Sequence, residues 1–119
     1  MPWTVRIARE FEVELKSLSG YARTEILAHA SLLEQFGPGL GRPWVDTLKG
    51  SRHPNMKELR FKLTDGPWRV AFAFDLHRQA ILLSGACKSG MNERRFYQGL
   101  IRRADARFEV HLRNLRKDS

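Results

Sequence analysis

The sequence contains a single cysteine, Cys87, among its 119 residues. One thiol excludes an intrachain disulfide framework and fits a reducing compartment. No stretch approaches the roughly 20 apolar residues of a membrane helix. The opening run MPWTVRIAREFEVELK has no apolar segment of signal-peptide type. These absences predict a soluble, cytoplasmic protein with no membrane partner. Metal-ligand spacing is missing too. His29, His53, His77 and His111 are scattered, and none pairs with Cys87 at a ligand interval, so no metal or other cofactor is expected. Gly37-Pro38-Gly39-Leu40-Gly41 is glycine-rich, but prolines stand where a phosphate loop needs free N–H groups. It reads as a connector.

Acidic residues are also few, 13 against 21 lysines and arginines, for a formal charge of +8 and a pI near 10.4. Such an excess on one small domain favours a polyanionic partner. It is unevenly placed. Residues 1–40 carry four basic and five acidic side chains, residues 41–87 eight and four, and residues 88–119 nine and four. The first third is a near-neutral scaffold, and the rest supplies the basic surface. With 42% hydrophobic and 29% charged residues the chain reads as globular. Its length suits a single domain, 1–119.

Hydrophobic periodicity supplies the element order. Residues 2–7 alternate (Trp3, Val5, Ile7) as a first strand, expected at a sheet edge. Phe11, Leu15 and Leu18 then mark a helix face. After Ser19-Gly20 a second helix is expected from about Tyr21 to Phe36, completing a helical hairpin. Residues 44–48 read as a short turn that packs Trp44 and Leu48 inward. Three strands follow, MKELRFKL, WRVAFAFD and QAILLSGACK. In the first, Leu59, Phe61 and Leu63 alternate with Glu58, Arg60 and Lys62, giving one buried and one polar face. In the second, Ala71 and Ala73 beside Arg69 predict a shallow depression. Asn92 is a suitable N-cap for a last helix of about Glu93 to Arg116. Helices segregated from consecutive hairpin strands predict an α+β fold with an antiparallel core.

The sharpest chemical signal is cations on strands. Arg60, Arg69 and Lys88 lie on three neighbouring strands, where a charge is costly unless its face meets water or an anion. Together they could cradle a phosphodiester. Arginine grips phosphate bidentately and can stabilise a pentacovalent phosphorane. A lysine crowded by arginines would hold its proton less firmly, which makes Lys88 the candidate for proton transfer. Tyr97, early in the last helix, could orient or stack a base. Arg52, Lys57, Lys62, Arg94 and Arg95 are candidate contacts to an RNA backbone. The alternative is a row of snorkelling strand-edge cations with no catalysis. Arg102, Arg103, Arg107, Arg113 and Arg116 read first as a solvated helix face.

The runs RPWVDTLKGSRHPNMKELRF, WRVAFAFDLHRQAILLSGACKSG and FYQGLIRRADARFEVHL resemble the RelE/HigB-type toxins of bacterial type II toxin–antitoxin pairs, in particular their phage-derived branch. The resemblance covers nearly the whole chain. It implies a RelE-like, microbial-ribonuclease-like domain with an N-terminal helical hairpin, an antiparallel sheet and a C-terminal helix. It implies metal-independent cleavage of mRNA on the ribosome, by attack of the 2′-hydroxyl to leave a 2′,3′-cyclic phosphate. A cognate antitoxin, often a helix-turn-helix protein, would silence it. By motif, Arg69 in WRV would bind the phosphate, Arg60 in ELRF and Lys88 in KSG would be the accompanying basic positions, and Tyr97 the aromatic one. The alternative is a non-catalytic RNA- or antitoxin-binding module, a decayed toxin.

Overall fold

The alternating apolar residues near the N-terminus form strand β1, Thr4–Ile7. The structure, a computed structural model, describes residues 3–117. Pro2, expected in the first strand, lies outside them. Helix α1 (Arg9–Lys16) buries Phe11 and Leu15, and α2 (Gly20–Phe36) buries Ala22, Ile26, Ala30 and Leu33. Between them Ser19 caps α2, its hydroxyl accepting from the Ala22 N–H at 3.1 Å. Helix α2 ends at Gly37, whose φ of 53° and contact with the Trp3 indole leave no room for a Cβ. The chain continues through β2 (Val45–Thr47), β3 (Lys57–Leu63), β4 (Gly66–Phe74), β5 (Gln79–Cys87) and α3 (Glu93–Lys117).

The strands form one sheet in the order β1-β5-β4-β3-β2. Its core from β2 to β5 is antiparallel, as expected. The edge strand β1 instead pairs parallel with β5, so the sheet is mixed. The helical hairpin between β1 and the other strands carries the chain back to the starting end, which permits that pairing.

The polar second face expected for the sheet is largely covered. The α1–α2 hairpin packs on Leu59, Phe61, Val70, Phe72 and Leu82. On the other face Phe96, Leu100, Ala104 and Phe108 of α3 pack on Ala71, Ala73, Ile81 and Leu83. The depression expected beside Arg69 is thus filled, because the small Ala71 and Ala73 let α3 approach. Residues 44–48 also differ from expectation. Val45–Thr47 form an edge strand, Leu48 is buried, and Trp44 faces outward at 45% exposure.

An irregularity in β5 decides which face the end of that strand presents. Ala71 pairs with Ser84 but Phe72 pairs with Leu82, so Leu83 is an extra residue in β5. This β-bulge shifts the alternation of the strand beyond it. Arg69 consequently pairs with Ala86, which puts Lys88, two residues on, on the arginine's face. Unbroken pairing from the β4–β5 turn would put Lys88 on the other side. The Leu83 carbonyl accepts from Arg107 Nη1 at 2.8 Å, and the same guanidinium grips Glu14 of α1 at 2.9 and 2.7 Å. Arg107 therefore joins both helical layers to the bulge and is no solvated-face residue.

The β4–β5 turn is fastened to α3 through Asp75. Its buried carboxylate accepts from the His77 and Gln79 N–H groups, from Gln79 Nε2 and from His111 Nε2 at 2.8 to 3.1 Å. Burial alone would raise its pKa, but the bonds from His111, His77 and Gln79 outweigh burial and hold the carboxyl below the usual aspartate range. The fold favours the ionised form. This contribution is complete above about pH 4 and is withdrawn as pH falls through the lower folded pKa. Asp75→Ala should cost on the order of 2–3 kcal/mol in urea unfolding at neutral pH. The deficit against wild type should shrink as the solution is acidified. An equal deficit at every pH would count against this anchoring role.

Candidate active site

At the end of the sheet where α3 begins, four polar side chains meet in a layer that α3 does not seal. Alternation along β3 sends Glu58, Arg60 and Lys62 to the α3 face. Arg60 stands opposite Arg69 of β4, and Arg69 opposite Ala86 of β5. Two arginines side by side repel, and Glu58 offsets this from beneath. Its Oε2 accepts from Arg60 Nη1 at 3.1 Å, and its Oε1 lies 3.7 Å from Arg69 Nε. The carboxylate is only 4% exposed. A buried carboxylate between two guanidinium groups is held in place by them.

Tyr97, in the second turn of α3, completes the group. Its hydroxyl donates to Glu58 Oε1 at 2.8 Å and accepts from Arg69 Nε at 3.3 Å. Burial raises the phenol's pKa, and the bond to Glu58 raises it further against the opposing pull of Arg69. Tyr97 therefore keeps its proton and points it at Glu58. Arg69 is anchored by a bond from Nη1 to the Trp68 carbonyl at 2.9 Å. Lys88 reaches over the Tyr97 ring, 5.3 Å from its centroid, and pairs with Glu93 Oε1 at 2.8 Å. That hydrogen bond and the charge of Lys88 hold Glu93 below the usual glutamate range, with Arg69 and Arg60 adding to the effect. The nearest charge to Lys88 is thus a carboxylate, where the sequence led us to expect arginines.

The structure brings Arg60, Arg69, Lys88 and Tyr97 together. The other cations disperse. Lys62 shares the face of Arg60 and is exposed. Arg94 and Arg95 are exposed in the first turn of α3, where with Asn92 and Gln98 they line an open depression. The Asn92 cap forms as expected, its side chain accepting from the Arg95 N–H at 3.1 Å. Lys57 falls on the opposite face of β3 from Arg60, by alternation. Arg52 is held by Asp105 and Glu109 of α3, away from the cluster. Sequence reasoning missed Glu58 because simple alternation gives it a solvated face. Its position two residues before Arg60 on the same face was the available signal.

Chemically, the arrangement offers two cations for a phosphate's oxygens, an ammonium beside them, and a hydroxyl hydrogen-bonded to a buried carboxylate. Such a carboxylate can take a proton through the hydroxyl.

Comparison with known proteins gives the family and the fold. Residues 13–109 match the family described as phage-derived protein Gp49-like. The chain belongs to that family. It is similar to the toxin candidate HigB2 of Mycobacterium tuberculosis, 40% identical over 111 residues, covering 92% of this chain and 54% of that one. The chain thus spans about half the length of HigB2. It is 46% identical over 93 residues to the toxin candidate HigB3 of the same organism, covering 78% of this chain and 79% of that one. Among solved structures, a substituted form of the E. coli toxin RelE in the free state aligns with a TM-score of 0.58 at 12% identity, covering 85% of this chain and 95% of its own. The archaeal RelE–RelB complex of Pyrococcus horikoshii aligns at 0.55 and 20% identity, covering 76% of this chain and all of the aligned chain. At such identities the likeness is one of fold. The Gp49-like chain therefore has the RelE-like α+β fold that its sequence resembles, and the described residues include no helix long and apolar enough to cross a membrane.

Proposed function

We propose that this Gp49-like chain is the toxin of a type II toxin–antitoxin pair and cuts mRNA on the ribosome. The observation that carries the reading is the joined set Arg60, Arg69, Tyr97 and Glu58, with Lys88 alongside. Arg60 and Arg69 hold the non-bridging oxygens of one phosphodiester. The RNA 2′-hydroxyl attacks that phosphorus. Its proton passes to the Tyr97 oxygen as Tyr97 gives its own proton to Glu58. The new 2′-oxygen–phosphorus bond forms while the bond to the 5′-oxygen breaks. Lys88, freed from Glu93, donates a proton to the leaving oxygen. The products are a 2′,3′-cyclic phosphate and a 5′-hydroxyl. The charge that a metal would bring to the phosphorane comes here from the two arginines.

The net charge of +8 suits a site on ribosomal RNA, with Lys62, Arg94 and Arg95 as backbone contacts beside the cluster. Arg52 and Lys57 are secondary candidates. A cognate antitoxin of helix-turn-helix type would restrain the activity, and the fold's occurrence in a RelE–RelB complex supports such a partner. The cytoplasm, where ribosomes are, is the site of action.

The internal pairing favours one other reading. Each cation of the cluster already has a carboxylate, Lys88 with Glu93 and the arginines with Glu58. A cluster in which two carboxylates already offset most of the charge of three cations suits a decayed toxin retained for binding an antitoxin or RNA. Induced expression in bacteria, with growth followed and transcript 5′ ends mapped, separates the two. The wild type should arrest growth and leave new 5′-hydroxyl ends within translated codons. Tyr97→Phe keeps the ring under Lys88 but removes the relay hydroxyl, and should cut about 10²- to 10⁴-fold more slowly. Normal growth with intact transcripts, from soluble folded wild type, would favour the binding module.

A further inference from the structure

Trp44 was expected to pack inward, yet it stands 45% exposed at the edge of the sheet. Its position is specific. The Arg60 N–H donates to the Trp44 carbonyl at 2.8 Å, which extends the β2–β3 ladder one residue past Val45 opposite Leu59. Val45 and Leu59 lie in the core under the helical hairpin. By alternation Trp44 therefore falls on the opposite face, that of Arg60 and Arg69. A single cross-strand row runs Trp44, Arg60, Arg69, Ala86. Along the backbone Trp44 lies one strand spacing, about 5 Å, from Arg60 and two spacings from Arg69. Of the other large exposed apolar residues, Tyr21, Leu27 and Phe36 lie on α2 in the opposite layer, whereas Met91 just precedes α3 and Val110 lies on it.

An exposed indole is costly to leave in water, and neither core cluster uses this one. A flat π-face beside a pair of phosphate-holding arginines matches single-stranded RNA, whose unpaired bases stack on aromatic side chains while cations follow the backbone. We propose that Trp44 is a stacking platform for the nucleobase flanking the phosphate that Arg60 and Arg69 hold. This rests on the interferase reading and gives it a base-binding subsite. The platform accepts any base, because every base has a π-face. It fixes which phosphate is presented to Tyr97 and Glu58 without choosing a sequence.

The test is a titration of a dye-labelled, short, mixed-sequence, 2′-O-methylated oligoribonucleotide with the full chain, followed by the anisotropy of the dye. The oligonucleotide binds but cannot be cut, and the signal is the same for every variant. Trp44→Ala should weaken binding about 5- to 100-fold, the range one stacked base is worth. Trp44→Phe should recover most of the loss. The slope of log affinity against log salt should be the same in all three proteins, because the phosphate contacts remain. An abasic oligonucleotide should bind wild type and Trp44→Ala alike. Wild type that fails to bind the free oligonucleotide would overturn the subsite as a platform of this chain, while the interferase reading, which places cleavage on the ribosome, would still be decided by the transcript 5′ ends. Wild type that binds, with Trp44→Ala binding equally well, would overturn the subsite alone. Unchanged RNA affinity beside lost antitoxin binding would assign Trp44 to a protein contact and equally overturn it.

Discussion

Arg69→Ala should abolish growth arrest, with RNA cleavage falling at least about 10²- to 10³-fold, the loss expected when a donor to a developing oxyanion is removed. Arg69 is the best fixed of the cations. It lies in the central strand β4, is 8% exposed, and is tied to the Trp68 carbonyl at 2.9 Å and the Tyr97 hydroxyl at 3.3 Å. A group held this firmly needs little reorganisation when charge builds up on the phosphorane. Arg60, half-buried and nearer the sheet edge, is less constrained. Arg69→Ala removes one of the two charges flanking Glu58, but Arg60 and Tyr97 still serve that carboxylate. The destabilisation should stay near about 1–3 kcal/mol, and the variant should remain folded. Arg69→Lys keeps a charge but not the planar fork, so it should recover only part of the activity. Cleavage at the wild-type rate by a folded Arg69→Ala protein would remove the phosphate role from Arg69.

Much of this arrangement is legible in the sequence alone. The 3.6-residue and two-residue periods locate α1, α2, α3 and strands β3 to β5, since their apolar residues face a core. Charge on strands picks out Arg60, Arg69, Lys88 and Tyr97's neighbourhood, because burying such groups without purpose is expensive. What escapes depends on how layers are stacked. Glu58 and Lys62 have the same alternation in KELRFKL, yet Glu58 is buried and bonded to Tyr97 of α3 while Lys62 is exposed, a difference set by where α3 lies on the sheet. The bulge at Leu83 leaves no mark in QAILLSGAC, an apolar run that reads equally well in two registers. It nevertheless decides the face on which Lys88 emerges. Trp44 looks like core because tryptophan usually is. Its exposure follows from ladder pairing with Arg60, a contact between residues sixteen apart.

Glu58→Gln gives the sharpest division between catalysis and binding. Glutamine has nearly the same shape, and its amide oxygen can still accept from Tyr97, but it cannot take the proton that Tyr97 passes on. If Glu58 is the terminal proton acceptor, cleavage should fall about 10²- to 10⁴-fold. RNA affinity should move the other way. The substitution deletes a negative charge within 3.1 Å of Arg60 and 3.7 Å of Arg69, leaving both arginines more attractive to phosphate. A purely structural carboxylate would have a different signature, because misplacing the two arginines would weaken binding and cleavage together. Stability should drop, since two guanidinium groups then share a buried site with no counter-charge. Bound RNA should restore part of it, phosphate taking the place of the lost carboxylate. Slow cleavage with equal or tighter binding would support the relay from the 2′-hydroxyl through Tyr97 to Glu58. Wild-type cleavage by Glu58→Gln would sink the relay and leave catalysis to the charges of Arg60, Arg69 and Lys88.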